Sequence, residues 1–559
     1  MTTAVRPQTE QSLRTVAEVV GATLHRLGLR EIFGVVGSGN YVVTAELVRR
    51  GARYVSARHE LGAGMMADAH ARVTGRVTAL SVHQGCGLTN ALTAITEAAK
   101  SRTPLLVLTG DTPPTAKTSN FWIDQEATLL GLGVEVAAVR SAATAVKDTV
   151  RAYQRARDER RTVVLNLPLD VQEQLLAGDP GPDLPLGYSL LRTPESQEGA
   201  ELVARALLAA ERPVILGGRG ALGAREELVD LADRSGALLA TTAVARGLFQ
   251  GHPWSVDVMG GFATPAAAEL ITDADLVVAF GAGLNGWTTR HGALLEGSTV
   301  IVVDSDPDAI GFHHEPDHAI VADSGAIARA AGAIVGQRAG VGYRTDAART
   351  AIDTGGRWSQ VPYEDTSTTT HLDPRTLSIA VDGILPTDRV VAADGGNFIG
   401  YPSMYLSVPD ARSFVFPQAF QSIGLALGAA IGAAVARPDV VTVAAVGDGG
   451  FMMSLTELDT AVRLGLRLLV LVYDDAAYGA ELHHFDDDHD ALRVVTFPDT
   501  DIAAIARGFG AEAITARTVE DLTPIRDWVE RPDSGPLLVD AKITSFPSWV
   551  LAHAFKGEK

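Results

Sequence analysis

One cysteine, Cys86, is all that 559 residues contain, so no internal disulfide framework holds this chain and its composition fits a reducing compartment. Basic residues are also short. The 47 Lys and Arg against 67 Asp and Glu leave a formal charge of −20, which argues against nucleic acid or an anionic membrane as partner and leaves an anionic small molecule open. No run of about 20 apolar residues occurs, and the polar stretch from Met1 to Arg14 lacks the apolar centre of a secretory signal. A soluble, cytoplasmic protein is expected. Apolar residues make up 46% of the chain, enough for several cores, and at roughly 150 residues per domain the length points to about three.

Short apolar runs alternate with amphipathic segments throughout, at residues 31–36, 105–109, 163–167, 214–217, 276–280, 300–303, 441–446 and 468–473. Such alternation predicts an α/β fold of three doubly wound parallel-sheet domains covered by helices. Residues 177–194, rich in Pro and Gly, and residues 341–374, with the run Thr366 to Thr370, break the rhythm and read as linkers. They set the expected domains at 1–185, 195–340 and 370–559. The Gly- and Ala-rich stretch from Ile423 to Val435 reads as a tightly packed buried helix.

The most informative local pattern is Gly447-Asp448-Gly449-Gly450 after the apolar run 441–446, answered by Asp474-Asp475 at the end of the run 468–473. The apolar runs predict buried strands, and Met453 to Leu464 predicts an amphipathic helix between them. A right-handed crossover of this length brings both loops to one edge of a parallel sheet, where open α/β sheets bind ligands. Glycines let backbone amides approach a phosphate, and two carboxylates can share a hard divalent cation bridging to it. The pattern suits a magnesium diphosphate.

The spacing from Asp448 to Asp475, with Ala476-Ala477-Tyr478-Gly479 following, resembles the cofactor signature of the thiamine diphosphate (ThDP) enzymes, in the group of acetolactate synthase, benzoylformate decarboxylase and pyruvate decarboxylase. The resemblance covers almost the whole chain. It implies a pyrimidine-binding first domain, a mainly structural central domain and a diphosphate-binding third domain. It further implies sites shared between subunits of a homodimer or homotetramer, with ThDP and Mg2+ as cofactors. Asp448, Asp475 and the Ala477 carbonyl would hold the metal. Gly447, Gly449, Gly450, Tyr478, Gly479 and the loop Asp394-Gly395-Gly396-Asn397 would contact the diphosphate, and Ile423 would wedge beneath the cofactor. Glu60, in Arg58-His59-Glu60-Leu61-Gly62, matches the glutamate that bonds the aminopyrimidine and promotes its imino tautomer, a task suited to a buried carboxyl of raised pKa.

On the substrate side, Ser38 in Gly37-Ser38-Gly39-Asn40 and His83 in Val82-His83-Gln84-Gly85 resemble a serine and a proton-relaying histidine of benzoylformate decarboxylase. Glu481 falls where pyruvate decarboxylase carries an acid, and on a helix beginning near Ala477 it shares a face with His484. Gln125 resembles a segment that approaches the cofactor, and is equally readable as structural. The acid-rich run 486–490 reads as a solvated surface or a flap.

Three features depart from the family pattern. Asp475, preceded by Asp474, stands where Asn is usual, so extra negative charge near the diphosphate is expected to weaken cofactor affinity. Residues 281–287 lack the Arg- and Asp-rich segment of FAD-containing relatives, which argues against FAD. Cys86 replaces a common proline and reads as a small packing residue. The expected activity is cleavage of a C–C bond beside a carbonyl, with decarboxylation of a 2-oxo acid first and carboligation or aldehyde release afterwards. An aldehyde or diketone lyase and a catalytically silent cofactor-binding subunit are the alternatives.

Overall fold

Three six-stranded parallel sheets organise the chain in its computed structural model, which describes residues 13–177, 196–336, 341–485 and 492–552. They fall into two units, one of Met1–Leu190 with Pro417–Ala436 and one of Leu191–Phe416 with Arg437–Lys559. The expected α/β class with three doubly wound sheets is what the chain adopts. No helix among the described residues is long and apolar enough to cross a membrane.

In the first unit the strands lie in the order Arg53–Ser56, Glu31–Gly34, Thr78–Val82, Leu105–Asp111, Val163–Pro168, Glu135–Ala138. The chain runs outward from Glu31–Gly34 to one edge and then returns to its other side, so the order reverses between Glu31–Gly34 and Thr78–Val82. A ligand crevice forms outside the carboxyl ends at such a switch point. The returning stretch Pro417–Ala436 completes this unit. Its helix, Ala426–Ala436, packs along the helix Glu60–Thr74 at backbone contact, since a Cβ on Gly432 would run into the Met66 carbonyl and one on Gly428 would lie 3.0 Å from the Gly62 carbonyl. A buried charge cluster fixes the approach. Arg72 bridges Asp68 and Glu97 at 2.7 and 2.8 Å, and the other Glu97 oxygen accepts the Phe420 N–H at 2.7 Å.

The second unit carries two sheets. The central one has the order Ser255–Val258, Leu238–Thr241, Pro213–Gly217, Leu276–Phe280, Thr299–Asp304, His318–Val321. Its strands are buried on both faces: Ile215, Val278 and Ile301 enter one core, and Val214, Val277 and Val300 the other. The two loops at its switch point pack directly on each other, with Gly218 and Gly220 donating to the carbonyls of Phe280 and Gly281. The third sheet runs Phe414–Val415, Arg389–Ala393, Val441–Gly447, Leu468–Asp474, Leu537–Lys542, Glu512–Ala516, reversing between Arg389–Ala393 and Val441–Gly447.

Four local expectations need correction. The helix expected over Met453 to Leu464 is two helices, Asp448–Ser454 and Glu457–Arg463. The Ser454 hydroxyl, at the end of the first, bonds back to the Gly450 carbonyl at 3.0 Å. The second supposed linker contains the helix Asp346–Gly355, capped by Thr345 at the Ala348 N–H. Of the first, Leu175–Ala177 pairs antiparallel with Leu13–Thr15, and the remainder lies outside the described residues, as does the acidic run 486–490. The buried apolar helix starts at Ala426, which leaves Ile423 in the loop before it.

Candidate active site

The third sheet brings three loops together at the carboxyl ends of neighbouring strands: residues 394–397, 447–450 and 474–479. Helix Asp448–Ser454 begins on Asp448, so its first N–H groups have no partner within the helix and face the loop region. Glycines are needed here because the loops touch. A Cβ on Gly449 would strike the Tyr478 ring, one on Gly447 would lie 3.1 Å from the Phe398 ring, and one on Gly479 would strike the Asp475 carboxylate while lying 3.1 Å from Asn397 Cβ. Gly396, at φ 120°, holds a backbone conformation that side chains disfavour.

Asp448 is buried and Asp475 half-buried. Burial, then the charges of Asp475 and Asp474, push the Asp448 carboxyl up to about 8. Burial, against a partly offsetting Ala477 N–H, pushes Asp475 up to about 7. Among the described residues neither carboxylate has a Lys or Arg within ion-pair distance, and no three His, Cys, Asp or Glu side chains gather into a complete metal cage. Two facing carboxylates without a counter-ion fit a divalent cation that takes its other ligands from a main-chain carbonyl and from phosphate oxygens. Asp474 is different. Its Oδ2 meets Lys542 Nζ at 2.5 Å and its Oδ1 accepts the Ala476 N–H, so the charge expected to bear on a diphosphate has a partner of its own.

Asp394 is fully buried, and Gly395 donates to its side chain at 3.0 Å. The Asn397 amide is committed to the C-terminal segment: it donates to the Phe546 carbonyl at 2.8 Å and accepts the Ser548 N–H at 2.9 Å. One N–H and one lone pair of the amide are thereby taken. Glu481 and His484 are exposed on the six-residue helix Gly479–His484, which begins two residues later than expected because Ala477 and Tyr478 pair with residues 495 and 496.

The first unit gathers the other set. Glu60 opens the helix Glu60–Thr74, is half-buried, and accepts a hydrogen bond from Asn90 Nδ2 at 3.1 Å. Gly87 sits between it and His83, since a Cβ there would lie 3.5 Å from Glu60 Oε1 and 3.0 Å from His83 Cβ. His83 Nδ1 lies 2.9 Å from the Gln84 carbonyl, which calls for a proton on Nδ1, and Nε2 lies 3.4 Å from Ser38 Oγ. The ring edge rests on Phe121, with centroids 4.8 Å apart. Ser38 itself is exposed, on a turn stapled by buried Asn40, which accepts from the Gly37 N–H and donates to Val35 and Ser81. Gln125 is structural: it accepts from Gly85 N–H at 2.8 Å and donates to Gly110 and Asn166. Ile423 is half-buried. Cys86 is exposed at the first turn of Cys86–Lys100, not packed.

Asn40, Asn90 and Lys542 were not anticipated. Each acts through a partner about 30 or more residues away or on a neighbouring strand, and only their amide or amine chemistry hinted at a role.

Comparison with known proteins agrees with this geometry. Family models described as the thiamine pyrophosphate enzyme N-terminal TPP binding, central and C-terminal TPP binding domains match residues 14–128, 200–331 and 394–541. The chain is 30% identical over 537 residues to the sulfoacetaldehyde acetyltransferase of Rhodobacter capsulatus, covering 91% of this chain and 90% of that one. It is 28% identical over 554 residues to a putative acetolactate synthase large subunit of Mycobacterium tuberculosis, covering 95% and 98%. It is 26% identical over 560 residues to the chloroplastic acetolactate synthase 2 of Zea mays, covering 96% and 87%.

Proposed function

The chain belongs to the thiamine pyrophosphate enzyme family, and on that premise we propose that it is a ThDP- and Mg2+-dependent enzyme that cleaves the C–C bond beside a substrate carbonyl. Decarboxylation of a 2-oxo acid is the first step, followed by protonation or by ligation to a second carbonyl compound. Bound ThDP supplies an acidic carbon and an electron sink for the bond that breaks.

Asp448, Asp475 and the Ala477 carbonyl would hold the metal, and the glycine loops 394–397 and 447–450 would hold the diphosphate. Glu60 would hold the pyrimidine ring through its carboxyl and could carry a proton there, with its carboxylate oriented by the Asn90 amide. His83, with its Nε2 at Ser38 Oγ, moves a proton to or from the substrate, and Phe121 walls that side. The sites are completed between subunits of a homodimer or homotetramer. The observation that carries this reading is the placement of Glu60 next to His83, across Gly87, because cofactor binding alone needs neither a proton-exchanging acid nor a base.

A second reading, favoured by the similarity to sulfoacetaldehyde acetyltransferase, is acetyl transfer from a sulfonated aldehyde, in which the C–S bond breaks, the sulfonate leaves as sulfite and the acetyl group passes to an oxygen nucleophile such as phosphate or water. One experiment separates them: incubation with ThDP and Mg2+ and, in turn, pyruvate, benzoylformate, branched 2-oxo acids and sulfoacetaldehyde. Carbon dioxide release that Glu60→Gln abolishes supports decarboxylation, and the companion product separates aldehyde release from ligation. Consumption of sulfoacetaldehyde without carbon dioxide selects the second reading, and bound cofactor with no turnover of any substrate overturns both.

A further inference from the structure

Five aspartates crowd the carboxyl ends of the third sheet's central strands, with one lysine among them. Lys542 ends the strand Leu537–Lys542, is 4% exposed, and stands directly opposite Asp474 in the strand register. Its Nζ lies 2.5 Å from Asp474, 2.6 Å from Asp499 and 3.3 Å from Asp540, and donates to the Thr500 carbonyl at 3.0 Å. Asp540 is fully buried and neither of its oxygens has a hydrogen-bond donor in bonding geometry, so Lys542 is its nearest source of positive charge. The aspartates therefore divide into two groups. Asp474, Asp499 and Asp540 surround Lys542, while Asp448 and Asp475 face the loops without a cation.

Strand alternation makes the division possible. Asp474 and Asp475 are adjacent in the chain, but Asp474 is still within the strand and pairs with Lys542 of its neighbour strand, whereas Asp475 is the first residue beyond it and its carboxylate lies against Gly479. Both Asp474 oxygens are engaged, one by Lys542 and one by the Ala476 N–H, so the side chain is held away from the metal position.

We propose that Lys542 is a positioning residue for the cofactor site: it is the fixed counter-charge that holds Asp474 out of the metal's coordination and offsets its charge there, which allows an Asp–Asp pair to bind a magnesium diphosphate. The proposal rests on the metal–diphosphate reading of Asp448 and Asp475. Remove the lysine, and Asp474 becomes an uncompensated charge one residue from a metal ligand, repelling the diphosphate and competing for the cation.

The test is a double-mutant cycle read by binding, not turnover: calorimetric titration of ThDP at saturating Mg2+, and of Mg2+ at saturating ThDP, on the full-length protein. Lys542→Met is expected to weaken both by about tenfold or more. Asp474→Asn is expected to leave them within about threefold of wild type, and Asp474→Asn combined with Lys542→Met to recover the same range. Lys542→Gln, which keeps a donor but no charge, gives the same comparison if the methionine variant fails to fold, with a loss that Asp474→Asn again reverses. A folded Lys542 variant with wild-type affinity, or a loss that Asp474→Asn does not reverse, overturns the inference and leaves Lys542 a packing group. Wild-type protein that binds no ThDP with Mg2+ overturns the underlying reading instead.

Discussion

A single methyl group at Gly479 should disable the metal position without unfolding the protein. The Cβ of Gly479→Ala would lie less than 3.0 Å from Asp475 Oδ2 and 3.1 Å from Asn397 Cβ. The Asn397 side is anchored by two hydrogen bonds to the C-terminal segment, so the carboxylate is the part that yields. Reaching ordinary van der Waals contact requires it to retreat by roughly 1 Å. The backbone imposes no penalty, because Gly479 is not among the glycines with positive φ and it opens a helix, where alanine is the better residue by about 0.5–1 kcal/mol. Disturbing the surroundings that orient a metal ligand costs about 10–100-fold in metal affinity, the loss expected if Asp475 is one. Calorimetric titration of Mg2+ at saturating ThDP should show that loss, while the melting temperature of the cofactor-free protein stays within a few degrees of wild type. Gly383→Ala is the control, since no atom lies within 4 Å of its Cβ. Wild-type affinity in a folded Gly479→Ala protein would refute the assignment of Asp475 as a ligand.

Other outcomes follow from the same geometry. Glu60→Gln should lower turnover by about 10²–10⁴-fold and leave ThDP affinity nearly unchanged, as separate rate and binding measurements would show. Asn90→Ala should lower turnover less, because the Glu60 carboxylate remains but loses its donor. Asp448 and Asp475 have raised folded pKa values, so their favourable contribution is present below the ordinary carboxylate range and is lost as pH rises towards about 7 to 8. Cofactor-free Asp448→Asn should therefore melt progressively higher than cofactor-free wild type from about pH 4 to pH 8, and the gap should close when Mg2+ and ThDP are added. Gly432→Ala should cost about 1–3 kcal/mol in urea unfolding, since the added methyl strikes the Met66 carbonyl across a helix contact with no slack.

Strands with buried apolar runs were readable to within two residues, because their signal is local: Leu276–Phe280 begins and ends where the pattern does, and Thr299–Asp304 extends the run 300–303 by one residue at each end. The loops were readable too, since Gly and Asp clusters at strand ends carry their chemistry in the sequence. What escaped was everything set by a distant partner. The Ala- and Gly-rich run after Ile423 announced burial but not that it would pack on the helix Glu60–Thr74, more than 350 residues earlier. Asp474 looked like an electrostatic liability until the strand register placed Lys542 across from it. The break between Asp448–Ser454 and Glu457–Arg463 falls in an amphipathic stretch whose periodicity does not announce it.

The return of Pro417–Ala436 to the first unit makes the chain indivisible as a piece of genetic material. A fragment ending near residue 190 would lose the helix that covers Gly62, Met65 and Met66, and would leave Glu97 without the Phe420 N–H. A fragment beginning after it would lose the strand order on one side of Val441–Gly447. Glu60 and the Asp448 loop are thus inherited together: recombination can exchange neither without breaking the other's support, although their residues lie nearly 400 positions apart.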